Sequence, residues 1–153
     1  MNRDQCVVVD GESSSYIPVQ SGVPQGSVLG PLLFLLHIND LPNEVDHRTS
    51  VRLFADDCLV YRTINTVGLQ DQITLQDDLN RLELWSNKWG MKFHAQKCNI
   101  MRISRTQQPL SRMYTLCGHV LQQTDKAKYL GITIFDNLDW SVVTPHTISV
   151  SQI

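Results

Sequence analysis

The sequence lacks any apolar run long enough to cross a bilayer, and it lacks the cysteine spacing of a metal site. The longest uncharged apolar stretch, residues 28–39, is interrupted by Gly30 and Pro31 and is far shorter than the ~18–20 residues of a membrane span. The four cysteines are 52, 40 and 19 residues apart, which leaves no zinc-type CxxC or Cys/His pair. No secretory signal opens the chain. We therefore expect an intracellular setting and cysteines that act as small buried hydrophobes.

The chain also lacks the net positive charge of a uniformly basic nucleic-acid binder. Its 153 residues are 42% hydrophobic and 18% charged, with a net charge of −2, which is typical of one globular domain. The charges are unevenly distributed, since residues 1–80 hold 4 Lys/Arg and 11 Asp/Glu, whereas residues 81–128 hold 9 and 2. An acidic half beside a basic half could hold cations and phosphates in one protein.

Hydrophobic spacing predicts two helices. The first should begin near Ser27, tolerate Pro31 in its first turn and stop at Pro42. Its leucines point in nearly every direction, so we expect a central core helix, with His37 as a buried core histidine. The second helix should span residues 69–89, because its apolar side chains step by 4, 3, 3 and 4 along one face. Those side chains are Leu75, Leu79, Leu82, Trp85 and Trp89.

Short apolar runs between turn residues predict the strands. Residues 6–9 and 16–19 fit two strands around a polar turn, and residues 51–61, VRLFADDCLVY, have the pattern of a tight β-hairpin. The later predicted strands cover residues 98–103, 114–117, 119–122 and 129–135, with Gly118 in a hairpin turn. This order predicts an α+β domain in which helices cover one face of an antiparallel sheet.

The adjacent acids Asp56 and Asp57 are the sharpest candidate site. Two carboxylates in an apolar hairpin repel each other and are costly unless they are solvated or neutralised. They could bind Mg²⁺, which prefers carboxylate oxygens and keeps waters and phosphates as its other ligands. Two such ions can activate an attacking hydroxyl and stabilise a leaving pyrophosphate. A solvated turn is the alternative, since Asp is common in turns.

Other candidates are weaker when taken singly. Loop 21–26, SGVPQG, would let a nucleic-acid backbone approach the main chain, or it only turns the chain into the first helix. Lys97 opens a predicted strand and could contact a phosphate, or it is an ordinary surface lysine. Lys126 and Lys128 could grip a phosphate backbone, or they protect a sheet edge. The two helical tryptophans could stack on bases, although their spacing favours core packing.

Four segments, taken in order, resemble conserved blocks of the reverse transcriptases of non-LTR (LINE-type, jockey-like) retrotransposons. They are SGVPQGSVLGPLLF with INDLP (second block), FADD at 54–57 (third), WGMKF at 89–93 with Lys97-Cys98 (fourth) and KYLGI at 128–132 (fifth, the primer grip). Four blocks in the right order are far more specific than one short motif, and they disfavour an unrelated α+β binding domain.

The resemblance implies a partial polymerase palm, an antiparallel sheet with helices packed on one face. Such an enzyme extends a DNA primer on an RNA template, using deoxynucleoside triphosphates and two Mg²⁺ ions. Asp56 and Asp57 would be catalytic metal ligands, and Lys97 would lie near the leaving pyrophosphate. The residues expected near template and nucleotide are Ser21, Gly22, Pro24, Gln25 and Gly26. The residues expected at the primer grip are Lys128, Tyr129, Leu130 and Gly131.

The sequence also departs from the family's pattern. The first block carries another metal-binding aspartate, and the 20 residues before the SGVPQG loop do not form it, since Asp10 stands in a turn-like Asp-Gly pair. We also expect these 153 residues to lack the fingers and most of the thumb. We therefore expect residues 1–135 to be a partial palm, and residues 136–153 to begin a divergent thumb connection that could be disordered. Such a chain should need the rest of the retroelement polypeptide for activity; the alternative is a non-catalytic remnant that at most binds nucleic acid.

Overall fold

Two α-helices and twelve short strands make up most of the regular structure in this computed structural model, which describes residues 3–19, 22, 26–64, 69–103 and 112–137. The strands form six separate two-stranded pairs, five antiparallel and one parallel. The predicted mixture of helices and short antiparallel strands is therefore confirmed. Within the described ranges, however, the pairs do not join into the single sheet that we expected. The chain divides into two compact units between His37 and Ile38.

The first unit contains two small hairpins and all of the following helix except its last residue, Ile38, which is buried in the second unit. The strands are β1 (Arg3–Gln5) paired with β4 (Ile17–Val19), and β2 (Val8–Val9) paired with β3 (Glu12–Ser13). Asp10 and Gly11 form the turn of the inner hairpin, both at positive φ (52° and 88°), as a two-residue hairpin turn requires. Helix α1 then spans Leu29–Ile38, and the Ser27 hydroxyl accepts a hydrogen bond from the Gly30 amide (2.9 Å) at its start.

The prediction that α1 lies in the core is wrong. Its leucines are between 47% and 74% exposed (Leu29, Leu32, Leu33, Leu35, Leu36), and His37 is exposed as well. The described strands of the same unit offer it little apolar cover, since every strand residue except Val19 is itself exposed. The helix also ends before Pro42, which lies instead in a 3₁₀ helix over Leu41–Glu44.

The core of the second unit lies where a hairpin meets the long helix. Strands β5 (Thr49–Phe54) and β6 (Asp57–Arg62) form the hairpin, and helix α2 spans Gln70–Lys88. The apolar face of α2 is buried as its spacing predicts, with Leu82 and Trp85 at most 2% exposed. The two tryptophans of the predicted stripe differ in burial. The buried Trp85 indole donates a 2.9 Å hydrogen bond to Asp40, whereas Trp89 is 41% exposed and the Lys88 ammonium lies over its ring.

The remaining strands are shorter than predicted. They are β7 (Asn99–Ile100) parallel to β10 (Gln122–Gln123), β8 (Thr115–Leu116) with β9 (His119–Val120), and β11 (Lys126–Tyr129) with β12 (Ile132–Phe135). Gly118 lies in a hairpin turn as expected. The single strand predicted over residues 129–135 is wrong, because Leu130 and Gly131, both at positive φ, form a turn between β11 and β12. Lys97 does not open a strand either, since it ends a 3₁₀ helix over Ala95–Lys97.

Candidate active site

The two candidate metal-binding acids lie at the closed end of the β5–β6 hairpin, as the sequence predicts. Phe54 pairs with Asp57 across the hairpin, so Ala55 and Asp56 form the turn between them. Ala55 has φ = 49°, at a position where such a turn normally takes glycine. A side chain in this region costs about 1–2 kcal/mol, and Asp10, Cys117 and Leu130 have similar φ values in other hairpin turns of the chain. The Ala55–Asp56 turn thus presents the exposed Asp56 carboxylate beside that of the half-buried Asp57.

The electrostatics of the pair favour a cation. Asp56 is exposed and Asp57 is half-buried. Burial, and then the negative charge of Asp56, raise the pKa of the Asp57 carboxyl above its ordinary value. A divalent cation bound between the two groups would offset this repulsion and would meet the hard oxygen donors that Mg²⁺ prefers. The pair supplies only two donors, and in the described part of the chain no three His, Cys, Asp or Glu side chains are arranged to hold a metal ion.

Tyr129, from the predicted primer-grip segment, lies within electrostatic reach of this hairpin. Burial raises the pKa of the Tyr129 hydroxyl, and the charges of Asp57 and Cys58 raise it further, while Arg52 lowers it. Tyr129 is therefore near enough to Asp57 and Arg52 for their charges to act on its hydroxyl. Lys128 precedes Tyr129 on β11 and is half-buried, whereas Leu130 and Gly131 are exposed in the turn.

The segment that carries Lys97 packs behind the hairpin through its neighbour Cys98. Cys58 and Cys98 are both buried and line one cavity of about 70 Å³. Burial, and then the charge of Cys98, raise the pKa of the Cys58 thiol to about 12. Lys97 itself is exposed, and its backbone amide donates to the His94 carbonyl (2.8 Å). Two of the four cysteines are therefore the buried small hydrophobes that we expected, while Cys6 and Cys117 are half-buried.

The SGVPQG loop belongs to the first unit, and the structure describes only part of it. Gly22 and Gly26 both adopt positive φ (88° and 77°), which explains glycine at these positions. The Arg3 guanidinium donates a 2.9 Å hydrogen bond to the Gly22 carbonyl. The other predicted template-contacting residues, Ser21, Pro24 and Gln25, lie outside the described residues.

A buried polar network at the open end of the hairpin was not predicted from the sequence. The Arg62 guanidinium, whose side chain is 1% exposed, donates to Asp46 (2.8 Å), Asp71 (3.1 Å) and the Thr49 hydroxyl (2.9 Å). Asp78 is fully buried and accepts hydrogen bonds from the Asp46 amide and the Thr49 hydroxyl. These contacts join both strands of the hairpin to α2. The available signal was the seven-residue spacing of Asp71 and Asp78, which puts them on the same face of α2 as its leucines.

Comparison with known proteins identifies the family of the chain. Residues 2–134 match the family model described as "Reverse transcriptase (RNA-dependent DNA polymerase)", so the chain belongs to the reverse transcriptase family. The chain is 34% identical over 142 residues to the RNA-directed DNA polymerase from mobile element jockey of Drosophila melanogaster, an alignment covering 88% of this chain and 15% of that polymerase.

Two further relatives come from the same class of element. The jockey polymerase of Drosophila funebris is 31% identical over 138 residues (86% of this chain, 15% of the relative). The probable RNA-directed DNA polymerase from transposon BS of Drosophila melanogaster is 34% identical over 153 residues (94% and 16%). The similarity thus lies with reverse transcriptases of non-LTR retrotransposons, and the chain spans about 15% of the length of these relatives. Among the described helices, none combines the length and apolar character needed to cross a membrane.

Proposed function

We propose that residues 1–135 are part of the palm of an RNA-directed DNA polymerase, with Asp56 and Asp57 as metal ligands at its centre. Residues 136–153 would begin the connection to a thumb. The observation that carries the proposal is the pair of adjacent carboxylates on a strained hairpin turn, in a chain that belongs to the reverse transcriptase family. The substrates would be an RNA template, a DNA primer and deoxynucleoside triphosphates.

Asp56 and Asp57 would hold Mg²⁺ through their carboxylate oxygens, two ions being expected in the complete enzyme. Bound Mg²⁺ supplies activation of a hydroxyl nucleophile and stabilisation of the leaving pyrophosphate. Asp57 is suited to this role because cation binding would offset the burial and the repulsion that raise its pKa. The turn holds both carboxylates before substrate arrives, so little ordering is required during the reaction.

The other predicted site residues would position the substrates. Lys97 would neutralise charge on the leaving pyrophosphate. Tyr129 would lie against the primer strand beside Asp57, with the remainder of the primer grip from Lys128, Leu130 and Gly131. The template and the incoming nucleotide would contact Ser21, Gly22, Pro24, Gln25 and Gly26. The basic segment, residues 81–128, would follow the nucleic-acid backbone.

We further propose that these 153 residues do not polymerise DNA by themselves. Two-metal catalysis uses carboxylates that converge from different strands, whereas Asp56 and Asp57 are adjacent on one turn. Losing a single electrostatic donor to a transition state commonly costs ~10²–10³ in rate, and a missing shared metal ligand should cost more. The second candidate function is a non-catalytic protein that binds nucleic acid through the basic segment, residues 81–128.

Primer extension on a poly(rA)·oligo(dT) substrate with Mg²⁺ or Mn²⁺ tests both parts. The chain alone should give no extension, and template-dependent extension that an Asp56→Ala variant abolishes would overturn the proposed inactivity. For the function itself, residues 1–135 replace the matching segment of the jockey polymerase. That chimera should extend the primer and lose the activity with Asp56→Ala, whereas activity that survives Asp56→Ala would contradict the assignment of the carboxylates.

A further inference from the structure

The side of the β5–β6 hairpin that carries Asp57 also carries a cation and two aromatic rings. Side chains alternate along a strand and share a face with their cross-strand partners. The register pairs Phe54 with Asp57, Arg52 with Leu59, and Ser50 with Tyr61. These positions lie on the face opposite Val51 and Cys58, which are buried in the core. The face is partly open, since Phe54 is 61% and Tyr61 46% exposed, whereas Asp57 and Leu59 are half-buried.

Arg52 is held in place on this face while most of its donors remain available. Its guanidinium carbon lies 5.8 Å from the centre of the Tyr61 ring, and one terminal nitrogen donates to the Val51 carbonyl (3.1 Å). Arg52 is exposed, and no carboxylate of the described residues forms an ion pair with it. A guanidinium has five N–H donors in a planar fork that matches the oxygens of a phosphate. An ordered and unpaired arginine fork on a partly open face is suited to bind an anion.

The position of Arg52 relative to Asp57 indicates which class of anion it would bind. Phe54 is the cross-strand partner of Asp57, and Arg52 lies two residues before Phe54 on β5. Two residues span about 7 Å along a strand, so Arg52 is about that far along the hairpin from the Asp57 position. Neighbouring phosphates of one nucleic-acid strand are separated by a similar distance, because the backbone path between two nucleotides is longer than the ~3.4 Å axial rise. The Tyr61 and Phe54 rings lie on the same face as Arg52. Their apolar surface suits the sugars and bases of a nucleic acid better than a free anion.

We propose that Arg52, backed by the Tyr61 ring, binds a backbone phosphate of the primer–template about one nucleotide from the carboxylates of Asp56 and Asp57. The inference rests on the proposed function and adds a contact that sets where the strand lies relative to the metal ligands. Arg52 is thus a binding and positioning residue, and it does not touch the reacting atoms.

The test measures binding of a fluorescent DNA primer on an RNA template by the 153-residue chain, by anisotropy over a series of salt concentrations. Each phosphate contact contributes about 0.9 to the slope of log K against log[salt], so Arg52→Ala should lower the magnitude of that slope by about 0.9. Arg52→Lys keeps the charge and should keep the slope, but it loses the fork and should bind on the order of tenfold more weakly. Thermal unfolding by circular dichroism checks that the variants fold, as expected for an exposed side chain.

Arg48→Ala is the matched control, because Arg48 is a half-exposed arginine directly before β5, at the far end of the same strand. It should leave the salt slope unchanged. A primer series with one methylphosphonate at each position then locates the contact. Neutralising one phosphate near the 3′ end should weaken binding by the wild-type chain and have no effect on Arg52→Ala.

The outcomes separate the two proposals. If the wild-type chain binds primer–template and Arg52→Ala has the wild-type slope, or Arg48→Ala loses as much as Arg52→Ala, the Arg52 inference is wrong and the proposed function stands. If the wild-type chain shows no affinity for primer–template at low salt, the Arg52 inference is overturned, and the chimera experiment alone decides the proposed function.

Discussion

Ala55 holds the backbone of the metal-binding turn in a conformation that alanine disfavours. Its φ of 49° costs a residue with a Cβ about 1–2 kcal/mol, while glycine would avoid that cost and lose about 0.5–1 kcal/mol in chain entropy. The difference is between 0 and about 1.5 kcal/mol in favour of glycine. The turn would therefore tolerate glycine thermodynamically, and alanine makes it stiffer.

Replacing Ala55 tests whether that stiffness serves the carboxylates. We expect Ala55→Gly to raise the free energy of unfolding by no more than about 1.5 kcal/mol, and to weaken Mn²⁺ binding at Asp56 and Asp57 because the turn samples more conformations. Urea unfolding and a Mn²⁺ titration of the same sample measure both quantities. Unchanged Mn²⁺ affinity would show that the backbone strain does not serve the site.

The Asp46 carboxyl at the open end of the hairpin should make the stability of the folded chain depend on pH. The hydrogen bond from Arg62, and then that from the Arg48 amide, lower the pKa of the Asp46 carboxyl to about 2 from 3.8. A carboxyl whose pKa falls on folding stabilises the folded state above its unfolded pKa, and this stabilisation is lost as pH falls through the folded pKa. The contribution should therefore be complete above about pH 4 and disappear towards pH 2.

Asp46→Asn removes the titrating group and keeps a side chain of similar size. We expect the wild-type chain to lose stability more steeply than Asp46→Asn between about pH 5 and about pH 2. Other carboxyl groups titrate in the same range and contribute to both curves. Urea midpoints at several pH values provide the comparison. Parallel curves for the two proteins would mean that the Arg62–Asp46 contact has no net effect on stability.

At the scale of elements, the two helices differ in what they bury. Helix α2 has one apolar stripe that packs into the core, whereas α1 carries leucines that remain exposed. Periodicity predicted the burial of α2 because a stripe at helical spacing has a direction. It could not predict the exposure of α1, because a helix that is apolar all round gives no information about which surface, if any, covers it.

A matched pair of leucine truncations tests this contrast. Leu82→Ala, at a position 1% exposed, should destabilise the chain by about 2–5 kcal/mol, since it leaves a cavity. Leu36→Ala, at a position 74% exposed, should change stability by no more than about 0.5 kcal/mol. Chemical denaturation of both variants gives the values. A cost for Leu36→Ala similar to that for Leu82→Ala would show that α1 is buried in solution.

The local sequence pattern predicted the position of Asp56 and Asp57 in the hairpin turn better than it predicted the structure around that hairpin. Asp56 and Asp57 are adjacent in the sequence, and the apolar runs beside them define the hairpin register. The turn at Leu130 was missed, because leucine at positive φ contradicts ordinary turn preferences. The Arg62 network was missed because its hydrogen-bonded partners are up to 32 residues apart and meet only once the hairpin has packed on α2.

At the scale of the whole molecule, the uneven distribution of charge predicts how the chain binds nucleic acid. The basic segment, residues 81–128, should bind DNA and RNA weakly and without sequence preference. Affinity should fall steeply with salt, because each neutralised phosphate releases condensed counterions. Filter binding with oligonucleotides of unrelated sequence at several salt concentrations measures this. Affinity that does not depend on salt would contradict an electrostatic origin.

The central claim is that the Asp56–Asp57 turn binds divalent metal, and a Mn²⁺ titration followed by electron paramagnetic resonance tests it most directly. The variant replaces both acids with asparagine, and the matched control is Asp77→Asn, an exposed aspartate on α2. The wild-type chain and the control should bind at least one Mn²⁺ ion that the double variant does not bind. Equal Mn²⁺ binding by the wild-type chain and the double variant would contradict the claim.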